Sequence, residues 1–360
     1  MKTVTIIVSI VLCSTIASAQ TKRDVKKTSP EVNSMPKSFE GRIWGLTFSD
    51  FSYVTQSQDG TQKGTNSFSF RRIYLGYDQA ISDQFSAQVL LEADRSDTSL
   101  NGYMSFFAKH AYLEWKELVP SSSIFFGLSQ TPSMAIAEKI WGYRSLEKVI
   151  LDRNGLVQTS DMGVGLRGRF VSDGSIGYAV MVGNGKGGKF ENDKMKRIYG
   201  EFYIEPMKDG VMEVYADYEN AANAQSSMTA KGLLGYQSPT ASLGLEGFYR
   251  NVKNGAFNAV RSDSNLVGAS LHTSFRIAER LRGVLRGDYY DANLAVTNYG
   301  QREIFGIAGL DYAPVKDVDV IPNVLYTHHL YKNKQPVDPS LIDDVTVRLT
   351  VAYAFSARVP

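Results

Sequence analysis

The 360-residue chain has one cysteine, four histidines, three tryptophans and almost no net charge, with 39 basic against 37 acidic residues. So balanced a charge offers no polybasic surface, and no nucleic-acid partner is expected. Beyond its first residues the chain lacks any run of the roughly eighteen apolar residues that a membrane-crossing helix requires. The lone cysteine, Cys13, lies inside a segment with the layout of a secretory signal over residues 1–19. Lys2 starts it, Val4 to Leu12 form its apolar stretch, and Ala17-Ser18-Ala19 make a small-residue cleavage site before Gln20. Cleavage after Ala19 leaves a mature chain without cysteine, which excludes disulfides and thiolate chemistry. The alternative, a lipoprotein signal acylated at Cys13, asks for a small residue before the cysteine, and Leu12 stands there.

What is present is tyrosine (20), phenylalanine (18) and glycine (31), arranged in a rhythm. Residues 20–39 are polar, without period, and are expected to form a flexible periplasmic leader. Residues 40–355 then fall into about sixteen runs of alternating apolar and polar side chains. Short turns such as Ile81-Ser82-Asp83, Ser172-Asp173-Gly174 and Val315-Lys316-Asp317 alternate strictly with longer polar connections. An even count of strands with short turns on one rim and long loops on the other predicts an all-β fold. The architecture expected is a transmembrane antiparallel β-barrel of about sixteen strands in a Gram-negative outer membrane.

The last run, Val345 to Phe355, shows the facing rule. Turning Arg348 toward the lumen is the one orientation that keeps its charge out of hydrocarbon. Residues 356–360 are read as a short tail. The same alternation turns Arg72, Arg167, Arg169, Arg276, Arg282 and Arg286 inward, together with Glu92, Asp94, Glu114, Glu201, Glu246 and Asp288. Guanidinium is always charged and binds oxyanions bidentately, so such a wall favours anions. Tyr53, Trp115, Tyr218, Tyr249, Tyr312, Tyr326 and Phe355 lie where interfacial girdles would sit. Pro322 removes one ladder donor inside a strand, and a bulge is expected there.

One connection differs from the rest. Residues 131–160 form the longest and the third of the long loops, with apolar pieces around Met134, Ile140-Trp141 and Val149-Ile150-Leu151. It carries Lys139, Arg144, Lys148 and Arg153 against Glu138, Glu147 and Asp152. Opposed charges across a gap create a transverse field that orients permeating dipoles. The alternative is that they pair with one another and tie the loop to the wall.

The leader, the sixteen runs, the long third loop and the aromatic end resemble the phosphate-selective porin O and P family. So do Arg72-Ile73-Tyr74-Leu75-Gly76-Tyr77, Tyr143-Arg144-Ser145-Leu146-Glu147 and Asp161-Met162-Gly163-Val164-Gly165-Leu166. The resemblance covers essentially all of the mature chain. It implies a third loop folded into the barrel as a constriction, a homotrimer, and conduction of phosphate along an arginine ladder. It also implies outer-membrane lipid and lipopolysaccharide as surroundings, and barrel-assembly machinery as a partner that reads the terminal aromatic strand.

The function expected is a passive diffusion channel for small hydrophilic solutes and ions, with an anion preference as the finer expectation. No enzymatic activity, cofactor or metal is expected. Two alternatives are a closed structural or adhesive barrel and a barrel hydrolase. For the latter, His272 near Ser270 and Ser274 is the only neighbourhood to inspect, and lumen lining explains it as well. His328-His329 are adjacent on a strand and face opposite sides, which suits no single ion. The glycine-rich stretch Val182 to Lys189 lacks the spacing of a phosphate loop and reads as surface.

Overall fold

The computed structural model describes residues 41–58, 60–94, 104–171, 173–220, 225–257, 260–294, 302–330 and 343–359. The signal and leader expected over 1–39 lie outside the described residues. Sixteen strands pair antiparallel in sequence order and the first pairs with the last, so the sheet closes into a barrel. They are β1 (Gly41–Gln56), β2 (Asn66–Ala80), β3 (Phe85–Asp94), β4 (Phe106–Val119), β5 (Ser122–Gln130), β6 (Ser160–Arg169), β7 (Ile176–Gly183) and β8 (Arg197–Ile204). The second half comprises β9 (Gly210–Asn220), β10 (Ser226–Gln237), β11 (Ala241–Phe257), β12 (Val260–Ala278), β13 (Leu281–Asp291), β14 (Arg302–Val315), β15 (Val318–Leu330) and β16 (Asp343–Val359). Two short helices, α1 (Ala135–Trp141) and α2 (Ile150–Arg153), interrupt the connection between β5 and β6. Closure leaves no unpaired strand edge, which is the condition for sheet to cross hydrocarbon.

The alternation separates two surfaces. Leu75, Val89, Leu113, Val164, Leu245 and Leu285 are exposed on the outside, while Tyr74, Glu92, Glu246 and Arg286 are buried inside. Tyr53, Tyr218, Tyr249 and Tyr326 are exposed toward the long-loop ends of their strands, and Trp115, Tyr312 and Phe355 toward the short-turn ends. That is the two-girdle arrangement of a membrane barrel.

Three expectations are corrected. Residues 356–359 are not a tail: β16 runs to Val359 and pairs with the start of β1, from Trp44↔Ser356 to Gly41↔Val359. No bulge occurs at Pro322. Its strand keeps one register with β14 on both sides, Gly309↔Asn323 and Tyr312↔Val320, and pairs regularly with β16 through Pro322↔Leu349. The missing N–H merely interrupts the ladder on the β14 side. The alternation of short and long connections is also not strict, because β11 and β12 continue almost to meet, leaving residues 258–259 between them. At 17 and 19 residues, both exceed the roughly ten that cross a bilayer.

The register shifts at several other places among the described strands, and two of these shifts bear on the lumen. Between β1 and β2, Phe48↔Arg72 is followed by Ser49↔Phe70, so Arg71 is an extra residue. Between β3 and β4, Leu90↔His110 is followed by Leu91↔Ala108, so Lys109 is extra. A bulge lets two successive side chains share a face. Arg71 and Arg72, and likewise Lys109 and His110, therefore both reach lumen partners.

The main hydrophobic core lies inside the barrel rather than behind its wall. Met134, Ile140, Trp141, Leu146, Ile150 and Leu151 of the long loop are all at most 3% exposed. They pack against inward side chains of β7 to β15, among them Met181, Tyr199, Leu233, Phe248, Val284, Phe305 and Ile321. Each such side chain removed from water contributes about 1.5–3 kcal/mol, so the loop is a packed element of the barrel.

Candidate functional site

The infolded loop is built from local signals. α1 ends at Gly142, whose φ of 68° is readily adopted without a Cβ, and whose N–H donates to the Glu138 carbonyl at 3.0 Å. The chain then turns through Tyr143 to Leu146, and Trp141 Nε1 donates to the Glu147 carbonyl at 2.7 Å. Loop carbonyls left over by this irregular backbone need donors, and the barrel wall supplies them. Lys231 Nζ donates to Ser133 O (2.7 Å), Gln237 Nε2 to Lys139 O (2.9 Å) and Arg286 Nη1 to Lys148 O (2.6 Å). Arg250 Nη1 donates to Leu156 O (2.6 Å), while Arg348 Nη2 (2.7 Å) and Arg71 Nη1 both donate to Leu146 O. Tyr143 Oη donates to Asp311 Oδ2 at 2.9 Å.

These tethers place the residues singled out from the sequence. Arg286 pairs with Asp288 through two bonds (2.9 and 2.6 Å) and stacks over Trp141. Arg348 bonds Asn323 Oδ1 at 3.0 Å and faces Asp50. Arg72 pairs with Glu92 and lies 3.6 Å from Asp94. Arg276 and Arg282 both donate to Pro239 O (3.1 and 3.0 Å) at the short-turn rim. Arg167 pairs with Glu114 at 2.8 Å. Arg167, Arg169 and Lys139 come together in a vestibule of about 570 Å³, opposite Glu117, Glu201 and Glu205. Of the seven wall arginines, two, Arg286 and Arg348, are loop tethers, and the others pair with carboxylates or turn carbonyls of the wall.

On the loop, Arg144 joins Glu138 (2.5 Å) and Asp152 (2.9 Å), and its Nε reaches Tyr74 Oη on β2 at 3.2 Å. Lys148 lies 3.6 Å from Asp152, Glu147 accepts from the Lys148 N–H at 2.8 Å, and Arg153 pairs with Glu303 while covering Phe305. On β4, Lys109 pairs with Glu92 at 3.0 Å and donates to Thr159 Oγ1 at 2.5 Å. Burial alone would lift the Asp152 carboxyl, but Arg144 and then Lys148 overcome it and hold it below its ordinary value. Glu138 goes the other way, because burial outweighs the attraction of Arg144. The network is close to charge-balanced.

Sequence reasoning missed Arg71 and Lys109, since a period of two assigns one of each adjacent basic pair to lipid. Lys231 was legible in principle. It shares parity with Thr229 and Leu233 in β10 and pairs with Glu213 at 2.8 Å, both side chains fully buried. Among the described residues no group of His, Cys, Asp and Glu is suited to a metal. His328 and His329 instead pair separately with Asp343 and Asp344, each at 2.6 Å. His272 packs edge-on against Trp141, as part of the loop's seat.

A closed sixteen-stranded barrel with its third long loop folded inside is the porin fold. No family model matches the sequence, and no curated protein matches it. Solved structures do. The outer membrane channel DcaP of Acinetobacter baumannii is similar at a TM-score of 0.64 and 12% identity, over 89% of this chain and 99% of that one. An anion-selective porin from Comamonas acidovorans is similar at 0.62 and 12%, over 88% and 100%. OmpT of Vibrio cholerae, in a trimer form, is similar at 0.58 and 11%, over 88% and 99%. At such identities the likeness is one of fold.

Proposed function

We propose that the chain is an outer-membrane porin, a passive diffusion channel for small hydrophilic solutes and ions, and not an enzyme. The observation that carries this reading is the infolded loop. Its apolar side is packed on β7 to β15, and we place the passage on the side of β1 to β6, where Arg71, Tyr74 and Lys109 reach the loop only at single points. Lys139, Arg144, Glu147, Lys148, Asp152 and Arg153 are assigned to the constriction. The named structural neighbours include a channel and an anion-selective porin, which supports transport over an adhesive or closed barrel. A trimeric neighbour supports a homotrimer, delivered by a signal cleaved after Ala19 and inserted by barrel-assembly machinery among lipid and lipopolysaccharide.

The anion preference assigned here is weak and not phosphate-specific. Arg169 and Lys139 are exposed in the short-turn vestibule and Arg276 at the short-turn rim, but the constriction's cations face as many carboxylates. Reversal potential across a planar bilayer in a potassium chloride gradient tests both parts. A small shift toward chloride is expected. A cation-selective current would overturn the preference, and no current from refolded protein would overturn the channel.

A further inference from the structure

The wall opposite the packed loop carries a feature that ion conduction does not use. Two rungs of inward side chains cross β1 to β4. One runs Trp44, Gly76, Leu90, His110, and the next runs Arg42, Asp78, Gln88, Tyr112, each residue paired in register with its neighbour. Two cavities of about 270 Å³ each lie over these rungs and share Gln88 and Tyr112 in their lining. With strands about 4.8 Å apart and same-face residues about 6.8 Å apart, four strands by two rungs span about 14 by 7 Å. That is the footprint of two linked sugar rings.

The surface is preorganised. The Trp44 indole lies flat on Gly76: a Cβ there would sit 2.2 Å from the ring. One ring face is thus pressed on the wall and the other is turned to the cavity. Its Nε1 is held by Asp78 Oδ2 at 3.0 Å. Asp78 also takes Arg42 Nη2 (2.7 Å) and, through Oδ1, Gln88 Nε2 (2.7 Å), and Gln88 Oε1 meets His110 Nδ1 at 2.9 Å. The chain of bonds orients the planar polar groups before a solute arrives. It also neutralises them, since Arg42 faces Asp78 and Arg167 faces Glu114. A free anion would have to displace a built-in carboxylate. A neutral polyol would not: its C–H face covers an aromatic ring while its rim hydroxyls both donate and accept.

We infer that this wall is a binding subsite for a neutral oligosaccharide, with Trp44 as the stacking platform and Gln88, His110 and Tyr112 as hydroxyl partners. The inference deepens the channel reading and rests on it for its place in transport. The probe is maltose, added to the refolded full chain in two measurements. In the planar bilayer, maltose is expected to reduce potassium chloride current saturably at millimolar concentration. Calorimetric titration of the detergent-solubilised barrel reads binding without needing current. Trp44→Leu, Gly76→Ala (which lifts the platform without removing it) and Gln88→Leu are each expected to weaken maltose roughly tenfold. Trp115→Phe, on the outer wall, is expected to leave it unchanged.

Current without maltose block, together with no calorimetric binding, would overturn the subsite and leave the channel standing. Stronger block by potassium phosphate than by maltose would overturn it in favour of an anion site. Maltose binding in a barrel that passes no current would keep the subsite and overturn the channel.

Discussion

Lys231 and Arg286 show how buried charge is used in this barrel. Each is all but removed from water, pairs with one carboxylate (Glu213 and Asp288), and spends a remaining N–H on a loop carbonyl. Cutting one partner from such a pair leaves the other uncompensated. Lys231→Met is therefore expected to cost about 3–5 kcal/mol, read as a lower urea midpoint for the refolded barrel. The double change Lys231→Met with Glu213→Leu is expected to recover only part of that loss, since the buried Glu246 and Glu201 also face the Lys231 charge. An unchanged midpoint in the single variant would show that the loop is not held at Ser133. The inward arginines outside the bulge at Arg71 were legible from parity. What each one holds was not, because the acceptor is a loop carbonyl as many as 202 positions away, as from Arg348 to Leu146.

The loop of residues 131–159 behaves as a wedge with one apolar and one polar side. Trp141, 1% exposed, packs on the wall while its Nε1 braces the loop's own turn. Trp141→Ala is expected to cost about 3–5 kcal/mol through the cavity left behind. Its single-channel current should become larger and noisier than that of the parent. A quiet, unchanged current would show that the loop does not narrow the passage. Acid separates two of the loop's carboxyls, Asp152 and Glu138. Asp152 sits below its ordinary value, so the stabilisation it draws from Arg144 is fully present at neutral pH. It is lost only as pH falls through that lowered value. Glu138, sitting above its ordinary value, takes up a proton first. Acid is thus expected to change the current first through Glu138, and Asp152→Asn, which removes a neighbouring negative charge that helps raise Glu138, is expected to shift that change to lower pH, read as single-channel current against pH. Order in the loop was legible from Met134, Ile140 and Leu151. The choice of β7 to β15 as its seat needed the curvature of the closed wall.

Closure depends on the full length of β16. Gly41 to Trp44 find their partners in Ser356 to Val359, so deleting residues 356–360 leaves the start of β1 unpaired on one side. The truncated chain is expected to refold into lipid vesicles in markedly lower yield, measured by heat-dependent electrophoretic mobility. A full yield would return those residues to the status of a tail. Phe355 adds to the same seam: a Cβ on Gly45 would lie 2.3 Å from its ring, so the ring covers that glycine. The terminal aromatic thus has a packing role besides any assembly signal.

The sequence by itself determined the strand period, the inward side of each isolated charge, the barrel class and the one loop unlike the others. These follow from the local two-residue repeat of a strand and from the cost of placing charge in hydrocarbon. Only the tertiary structure decided that Arg71 and Lys109 face the lumen, that Pro322 causes no bulge, and that Arg286 and Arg348 tether the loop. A bulge, a ladder gap or a side-chain bond to a distant carbonyl depends on what the neighbouring strand presents, and alternation along one strand carries no record of its neighbour.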